Sequence, residues 1–406
     1  MIGLLREPED RRDRRVLLAP FHVEELVQRF GRRVVVEPSA ERIFEDAAYQ
    51  AAGARVAVEL ADCRLLLGLA PPGDQWPVAG QTLLCFLGAS SRRPESQALV
   101  ERAAVRGATL IDLEAVVDRF GQRPVTAGRW AGAAGMIEAL RALGERLSAE
   151  GWASPLAALR PAASYGSLGA ACAHLEGEIS AALRSADGPA ELHPIVFGIA
   201  GGGPLARGAE EILAHLPGVE MSPDDLPELG DHPGLSRRAF VRVSLRRYQR
   251  VRFVRHLPHL TVLVNALRWE AGEPRLVLDD DLGELFAGDT TPKLRLIADL
   301  PAQVRGAVEP TRRLGHLDDP RIEIDPRTGA EQPGGFPLLA APAWASAFAQ
   351  EASLALGDAL FPFLAELATE DFAGPLERLP LPAALLGGVV VQRGELTARW
   401  RYLERG

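Results

Sequence analysis

One stretch limits what this chain can fold into more than any other. Residues 195–213 read IVFGIAGGGPLARGAEEIL, an apolar β-branched run that passes through glycines into a helical pattern. A strand turning directly into a helix points to a parallel α/β sheet, in which the helix carries the chain back across the sheet face. Gly201, Gly203 and Ala206 fit the spacing G-x-G-x-x-G/A. In that fingerprint the first glycine makes the tight turn, the second lets backbone approach a pyrophosphate, and a small third residue brings helix and sheet close. The N–H groups opening the helix would then face phosphate oxygens. Glycines also make plain strand-to-helix turns, so a bare turn is the competing reading.

The same alternation runs through the rest of the chain. Apolar runs IGLL, RVVVEP, RLLLGL, TLLCFL and TLIDLE are separated by the helical patterns FHVEELVQRF, FEDAAYQAAG and PESQALVERAAVRG. Strands alternating with helices predict a parallel α/β sheet over the first 120 residues. A second α/β set begins at Ile195 and continues through the strand VEMS, a helical region before Thr261, the strand TVLVNAL, and LRLIADL near Asp299. Two long helical stretches read as connectors: Trp130 to Gly151, and PAWASAFAQEASLALGDALFPFLAELA after a turn-rich linker from Arg327 to Gly335. The tail GGVVVQRGELTARWRYLERG is expected to return to the first domain. No internal repeat or low-complexity segment is evident.

With 406 residues and 47% hydrophobic content, the chain can bury a large core, and two domains are expected. The net charge of -9 and a basic block no longer than RRDRR at Arg11 to Arg15 argue against nucleic acid and anionic membrane as partners. Cys63, Cys85 and Cys172 stand singly in apolar surroundings, so they read as small core residues and no metal site is expected. The opening MIGLLREPEDRRDRR lacks the order of a signal peptide and no run of 18 apolar residues follows, which makes the cytoplasm the expected location. Of the 45 basic residues only Lys293 is a lysine, so lysine-based chemistry is excluded unless Lys293 supplies it.

Other polar residues have plain readings. His22 belongs to the opening turn of the first helix, and His256 and His259 precede a strand, where a loop or satisfied core role is expected. Glu220 falls about 20 residues after the glycines, where an acid would meet a ribose. Asp279, Asp280 and Asp281 lack the ligand spacing that calcium needs and read as a solvated turn, as does SPDDLPELGD.

Five segments together resemble a known family: REPEDRRDRRVLLAP, GRWAGAAGMIEALRALGERL, the glycine run, VLVNALRWEAGEPRLVL and EASLALGDALFPFLAEL. In that order they look like the lysine-ketoglutarate reductase domain and its lysine-forming saccharopine dehydrogenase relatives, within the alanine dehydrogenase and transhydrogenase fold. The resemblance implies an α/β chain of two Rossmann-like domains with parallel sheets, separated by a cleft that holds the active site and linked by long helices. Residues 1–135 with 345–406 would form an alanine dehydrogenase-like substrate domain closed by the C-terminal tail, and 136–344 the NAD(P)-binding domain. Family members join lysine to 2-oxoglutarate, or reverse that reaction, through an imine that takes hydride from a nicotinamide.

The chain departs from the family where proton transfer would occur. LLLGLAPPG places Ala70 at the family's catalytic lysine, and CFLGAS places Gly88 at its catalytic histidine. Lys293 precedes the strand LRLIADL and is expected at the opposite edge of its sheet from the site. DLPAQ keeps Asp299 but puts Gln303 where the family has a second acid, and AAPAWA puts Pro342 at a substrate-side aspartate. Arg6 and Arg123 match arginines that hold substrate carboxylates, although surface or inter-strand ion pairs are the plain alternative. Asn265 matches the segment beside the nicotinamide, and Ser222 the ribose-side strand end, where serine would tolerate a 2'-phosphate and leans the cofactor toward NADP over NAD. Two readings follow: an NAD(P)-dependent oxidoreductase acting on a C–N bond of an amino acid or imine other than lysine, or a catalytically silent pseudoenzyme that keeps the fold, with or without the cofactor, for a structural or regulatory role. The substrate would be a small molecule such as a dicarboxylate or amino acid, and a homodimer is open.

Overall fold

The computed structural model describes residues 1–8, 12–91, 93–185, 192–231, 240–245, 253–270, 272–288 and 291–405; Arg11 of the short basic block lies outside them. The chain divides into two compact units, Met1–Ala127 with Ala349–Gly406, and Gly128–Phe348.

The first unit is built on an eight-stranded sheet. Its parallel strands are β1 (Ile2–Leu4), β2 (Val34–Val36), β3 (Arg55–Val56), β4 (Leu65–Leu67), β5 (Thr82–Cys85) and β6 (Thr109–Asp112). Helices α1 (Pro20–Gln28), α2 (Asp46–Ala51) and α3 (Pro94–Val105) return the chain between strands. Every residue of β1, β2, β4, β5 and β6 is buried, which is why these strands read as unbroken apolar runs rather than as alternation. The tail completes the sheet: β14 (Val389–Gln392) lies antiparallel on β6, with Val389 opposite Ile111 and Val391 opposite Leu110, and β15 (Glu395–Leu396) pairs with β14. Val390, Val391 and Trp400 join the core of Leu66, Leu83 and Leu110. Helices α9 (Ala349–Leu367) and α10 (Ala383–Gly388) complete this unit.

The second unit carries a seven-stranded sheet ordered β12-β13-β11-β10-β7-β9-β8. The strands are β7 (Val196–Ala200), β8 (Gly218–Met221), β9 (Phe240–Ser244), β10 (Val262–Asn265), β11 (Leu296–Asp299), β12 (Arg321–Ile324) and β13 (Phe336–Leu339). Side chains of β7 alternate between two cores. Phe197 and Ile199 join one that includes α4 (Gly128–Ala149) and α7 (Pro204–Ala214), while Val196 and Ala200 join the other. Three shorter helices, α5 (Leu168–His174), α6 (Ser180–Ser185) and α8 (Asp279–Leu285), flank the sheet.

Several expectations are corrected here. The long helix expected from Trp130 is α4, but it is not amphipathic: it is buried on almost every side, including Gly132 to Leu140, as a helix inside a core must be. It crosses α7 closely, since a Cβ at Gly208 would fall on the Arg129 carbonyl and one at Gly132 on that of Leu205. The helical region expected before Thr261 is a short helical turn at Val254–His259, and between VEMS and that turn the chain also forms strand β9, FVRVS, whose alternating side chains fit a pleated strand. The turn-rich segment from Arg327 to Gly335 joins β12 to β13 as an antiparallel hairpin. Asp279, Asp280 and Asp281 are no solvated turn but the first turn of α8, where acidic side chains suit the helix N-terminus. Asp281 accepts the Leu278 N–H at 2.7 Å, and Asp279 pairs with Arg312 at 3.0 Å.

Candidate functional site

In parallel α/β sheets, ligands bind outside the carboxyl ends of the strands. In the second unit that edge begins at Gly201, directly after β7. Its φ of +129° and an added Cβ only 3.0 Å from the Ala266 carbonyl oxygen leave room for glycine alone. Gly203 caps α7, a Cβ there would meet nothing within 4 Å, and Pro204 takes the first helical position. Ala206 is wholly buried under the helix. Strand, glycine turn and helix N-terminus are thus assembled as a phosphate cradle needs them, with open space on the outer side of the second glycine. The exposed Arg207, which the fingerprint does not include, donates to the Gly202 carbonyl at 3.3 Å and sets a cation beside the turn.

Asn265 and Asp299 stand opposite each other at the ends of β10 and β11. The Asn265 Nδ2 donates to Asp299 Oδ1 at 2.8 Å, Thr311 Oγ1 donates to Asp299 Oδ2 at 2.8 Å, and Asn265 Oδ1 accepts the Leu267 N–H at 3.0 Å. Burial pushes the Asp299 carboxyl up to about 6, partly offset by those two donors. The pair ties the strand ends and the loop leaving β10 together. Gln303 continues that work, since its amide both accepts from the Trp269 N–H at 2.9 Å and donates to the Trp269 carbonyl at 3.0 Å. Pro342 is exposed, shortly after β13.

Ser222 stands elsewhere than chain order suggests. It follows β8, the edge strand, and β9 stands between β8 and β7, with Ser244 opposite Ile199. Ser222 and Glu220 are therefore one strand further from the glycine turn than a simple strand-helix-strand succession predicts. Lys293 precedes β11 at its amino end, away from Asp299, and desolvation lowers its ammonium to about 8. His259 is held below its ordinary value by burial and by Lys293, and His256 by burial and Arg255.

In the first unit, the carboxyl ends of β1, β2, β4, β5 and β6 bring charged groups to one edge. Arg6 is half exposed, its N–H donates to the buried Glu37 at 3.0 Å, and its guanidinium lies 3.6 Å from the same carboxylate. Asp112 gathers the N–H groups of Leu87, Gly88, Ala89 and Glu114 at 2.9 to 3.2 Å and so shapes the loop that carries Gly88. Burial, and then the nearby Glu114, raise its carboxyl above the usual range. Glu114 sits between Arg93 at 3.8 Å and Arg123 at 3.7 Å. At Gly88 a Cβ would lie 2.7 Å from Arg93 Nη2 and 3.2 Å from Glu114 Oε1, so a guanidinium fills the space a side chain there would take.

Ala70 has a neighbour that sequence reading missed. Both oxygens of Glu7 accept backbone N–H groups after β4, from Leu69 at 2.6 Å and Ala70 at 3.1 Å. Only proximity in the fold reveals this, because Glu7 and Ala70 are 63 positions apart. His22 is buried in α1, where Nδ1 accepts the Ala19 N–H and Nε2 lies 3.0 Å from Asp358. Among the described residues no group of three or more His, Cys, Asp or Glu could hold a metal ion, and no helix is long and apolar enough to cross a membrane.

Comparison with known proteins gives the arrangement its relatives. Residues 3–134 match the alanine dehydrogenase/PNT N-terminal domain. The chain is similar to alpha-aminoadipic semialdehyde synthase of Arabidopsis thaliana, 28% identical over all of this chain and 41% of that protein. It is likewise similar to the mitochondrial form from Bos taurus, 26% identical over all of this chain and 48% of that protein. The chain spans less than half the length of these curated relatives. Among solved structures it resembles an L-alanine dehydrogenase, with TM-score 0.66, 19% identity, and coverage of 100% of this chain and 99% of that one. A transhydrogenase from Sinorhizobium meliloti gives TM-score 0.61, 16% identity, and coverage of 98% and 99%. At such identities the likeness establishes the fold: an α/β chain with two Rossmann-like, mostly parallel sheets. Residues 3–134 match the alanine dehydrogenase/PNT N-terminal domain, and along its whole length the chain resembles the lysine-ketoglutarate reductase and saccharopine dehydrogenase family.

Proposed function

We propose that this chain is an NAD(P)-dependent oxidoreductase acting on a C–N bond of an amino acid or imine other than lysine. The observation that carries this reading is the turn at Gly201, whose backbone only glycine adopts and which delivers the chain into the N-terminus of α7. Gly201, Gly203 and Ala206 would hold the pyrophosphate, with Arg207 adding a cation. Asn265 and Asp299 would fix the strand ends beside it, acting through each other's hydrogen bonds. Ser222 enters this reading only through its lean toward NADP, which its place behind the edge strand weakens. Bound there, a nicotinamide supplies or accepts the hydride, for which the protein needs only to position it.

Arg6 and Arg123 are the substrate-side groups in this reading, since forked guanidinium donors grip carboxylates in two-point fashion. Each has a carboxylate partner, Glu37 and Glu114, which a dicarboxylate substrate would displace or share. The expected setting is the cytoplasm, although the mammalian relatives are named as mitochondrial. The loss of lysine and histidine at Ala70 and Gly88 favours a second reading, a silent scaffold, because each acid/base group is typically worth about 10² to 10⁴ in rate.

A fluorescence titration with NADPH and with NADH, followed by a screen of amino-acid and oxo-acid pairs for oxidation of the nicotinamide, separates the two. Saturable binding of either, lost in Gly201→Ala, supports the oxidoreductase and shows which nucleotide is preferred. Absence of binding by the wild-type protein at millimolar nucleotide overturns it.

A further inference from the structure

The amino-side edge of the second sheet, opposite the glycine turn, holds a cavity of about 260 Å³ that the reading above leaves unused. It lies where β11 and β13 begin: Leu294 and Arg295 precede β11, Phe336 opens β13, and Phe286, Pro326 and Arg146 add to the wall. The whole wall belongs to the second unit. Thr291 and Gly334, also in the wall, are exposed, so the space is reached from solvent. Its apolar part is a corner in which the rings of Phe286 and Phe336 meet edge to face, centroids 5.4 Å apart, beside Leu294.

Its charged part is out of balance. Glu150, just past the end of α4, holds both arginines: Oε1 accepts from Arg146 Nε at 2.7 Å and Oε2 from Arg295 Nε at 2.9 Å. The Nη1 groups donate to backbone carbonyls, of Gly334 and Gly335 for Arg146 and of Pro292 for Arg295. Among the described residues neither Nη2 group has a hydrogen-bond partner, and Glu150 is the only acid paired with either arginine. Glu323, which accepts the Gly334 N–H at 2.7 Å, has its own cation in Arg321 at 3.9 Å. Two guanidiniums against one carboxylate leave one positive charge unanswered, and Arg295 is only 9% exposed. A tie between the end of α4 and β11 needs neither the surplus charge nor the space beside it, and a buried charge is costly until an anion or water answers it.

We infer that this cavity is a binding site for a small apolar monocarboxylate, its carboxylate on the Nη2 groups of Arg146 and Arg295 and its hydrocarbon part against Phe286, Leu294 and Phe336. Guanidinium donors match the plane of a carboxylate, and the hydrocarbon displaces water from the aromatic corner. At about 30 Å³ for each water-sized group, the volume suits an acid of roughly ten non-hydrogen atoms or fewer. Among the described residues the wall contains no Asp or Glu to hold an ammonium, so the plain acid fits better than the amino acid of the same skeleton. The cavity opens at the amino ends of the strands, whereas Gly201, Asn265 and Asp299 stand at their carboxyl ends. Its ligand is therefore distinct from the nucleotide and substrate proposed above, and the inference stands independently of the oxidoreductase reading.

The test is isothermal titration calorimetry on the full chain with 4-methylpentanoate. Beside it run 4-methylpentan-1-ol as the uncharged counterpart, leucine as the aminated one, and inorganic phosphate as an anion without a hydrocarbon part. The acid should bind saturably with a Kd on the order of 0.1–1 mM. The alcohol, leucine and phosphate should each bind about tenfold more weakly or worse. Arg146→Gln should weaken the acid about tenfold and leave the alcohol unchanged. Thr291→Trp, at an exposed position of the wall, should abolish binding of the acid by filling the space. No binding of the acid at tens of millimolar, or equal affinity for the alcohol, leucine or phosphate, overturns the inference. So does an acid affinity unchanged in both variants, which would place the acid elsewhere on the chain, as at Arg6 and Arg123. If Arg146→Gln does not fold, Thr291→Trp and the comparison of acid with alcohol decide.

Discussion

A histidine at position 88 would need a φ of +62° and would bring its Cβ to 2.7 Å from an Arg93 nitrogen. The nitrogen is the far end of a flexible chain and can swing away, while the backbone strain remains, of order 1–2 kcal/mol. Gly88→His should therefore lower stability by about that amount in urea unfolding. Combined with Ala70→Lys, it should give oxidation of NADPH that depends on lysine and 2-oxoglutarate; a flat trace would show that more than two groups separate this chain from the family's reaction. Asp299 makes a prediction of the same scale. Its folded pKa, about 6, is raised from an ordinary 3.8, so its contribution to stability is complete below about pH 4 and lost as pH rises through 6. Asp299→Asn should remove that slope from a series of urea unfolding curves and gain up to about 2–3 kcal/mol relative to wild type near neutrality. Unchanged slopes in the variant would show that Asp299 is ionised throughout.

Among the elements, the crossing of α4 and α7 is the tightest constraint. Gly132 and Gly208 let each helix lie on the other's backbone, with no room for a Cβ at either position. Gly208→Val should cost about 3 kcal/mol or more and depress the melting temperature, whereas the same change at the exposed Gly203 should leave stability nearly intact. Strand β9 carries a different lesson. FVRVS is a pleated pattern of only five residues, and the segments on either side of it lie outside the described residues, so its identity comes from pairing with β7 and β8. The β12-β13 hairpin is similar: its turn residues are plain in the sequence, and its strands become so only beside β11.

For the molecule as a whole, the division into units predicts how pieces behave. Residues 128–348 are one continuous segment with cores on both faces of its sheet, and they should fold when produced alone. Residues 1–127 lack β14, which covers β6, and an uncovered edge strand is a template for aggregation. That fragment should aggregate on size-exclusion chromatography and regain a monomeric elution when 349–406 is supplied; a soluble, cooperatively melting 1–127 would contradict this. Apolar runs, helical periods and the glycine turn at Gly201 were readable in the chain, because each is a property of a few adjacent residues. Arg6, Arg123, Ala70 and Gly88 were singled out only through the family motifs, and their part in a reaction belongs to the proposal. The tertiary structure alone placed Glu7 on the N–H of Ala70, filled the space above Gly88 with Arg93, and set β9 between β7 and β8. Those contacts join segments far apart in sequence, and which segments meet is decided by the packing that buries the most apolar surface, a property that no local window contains.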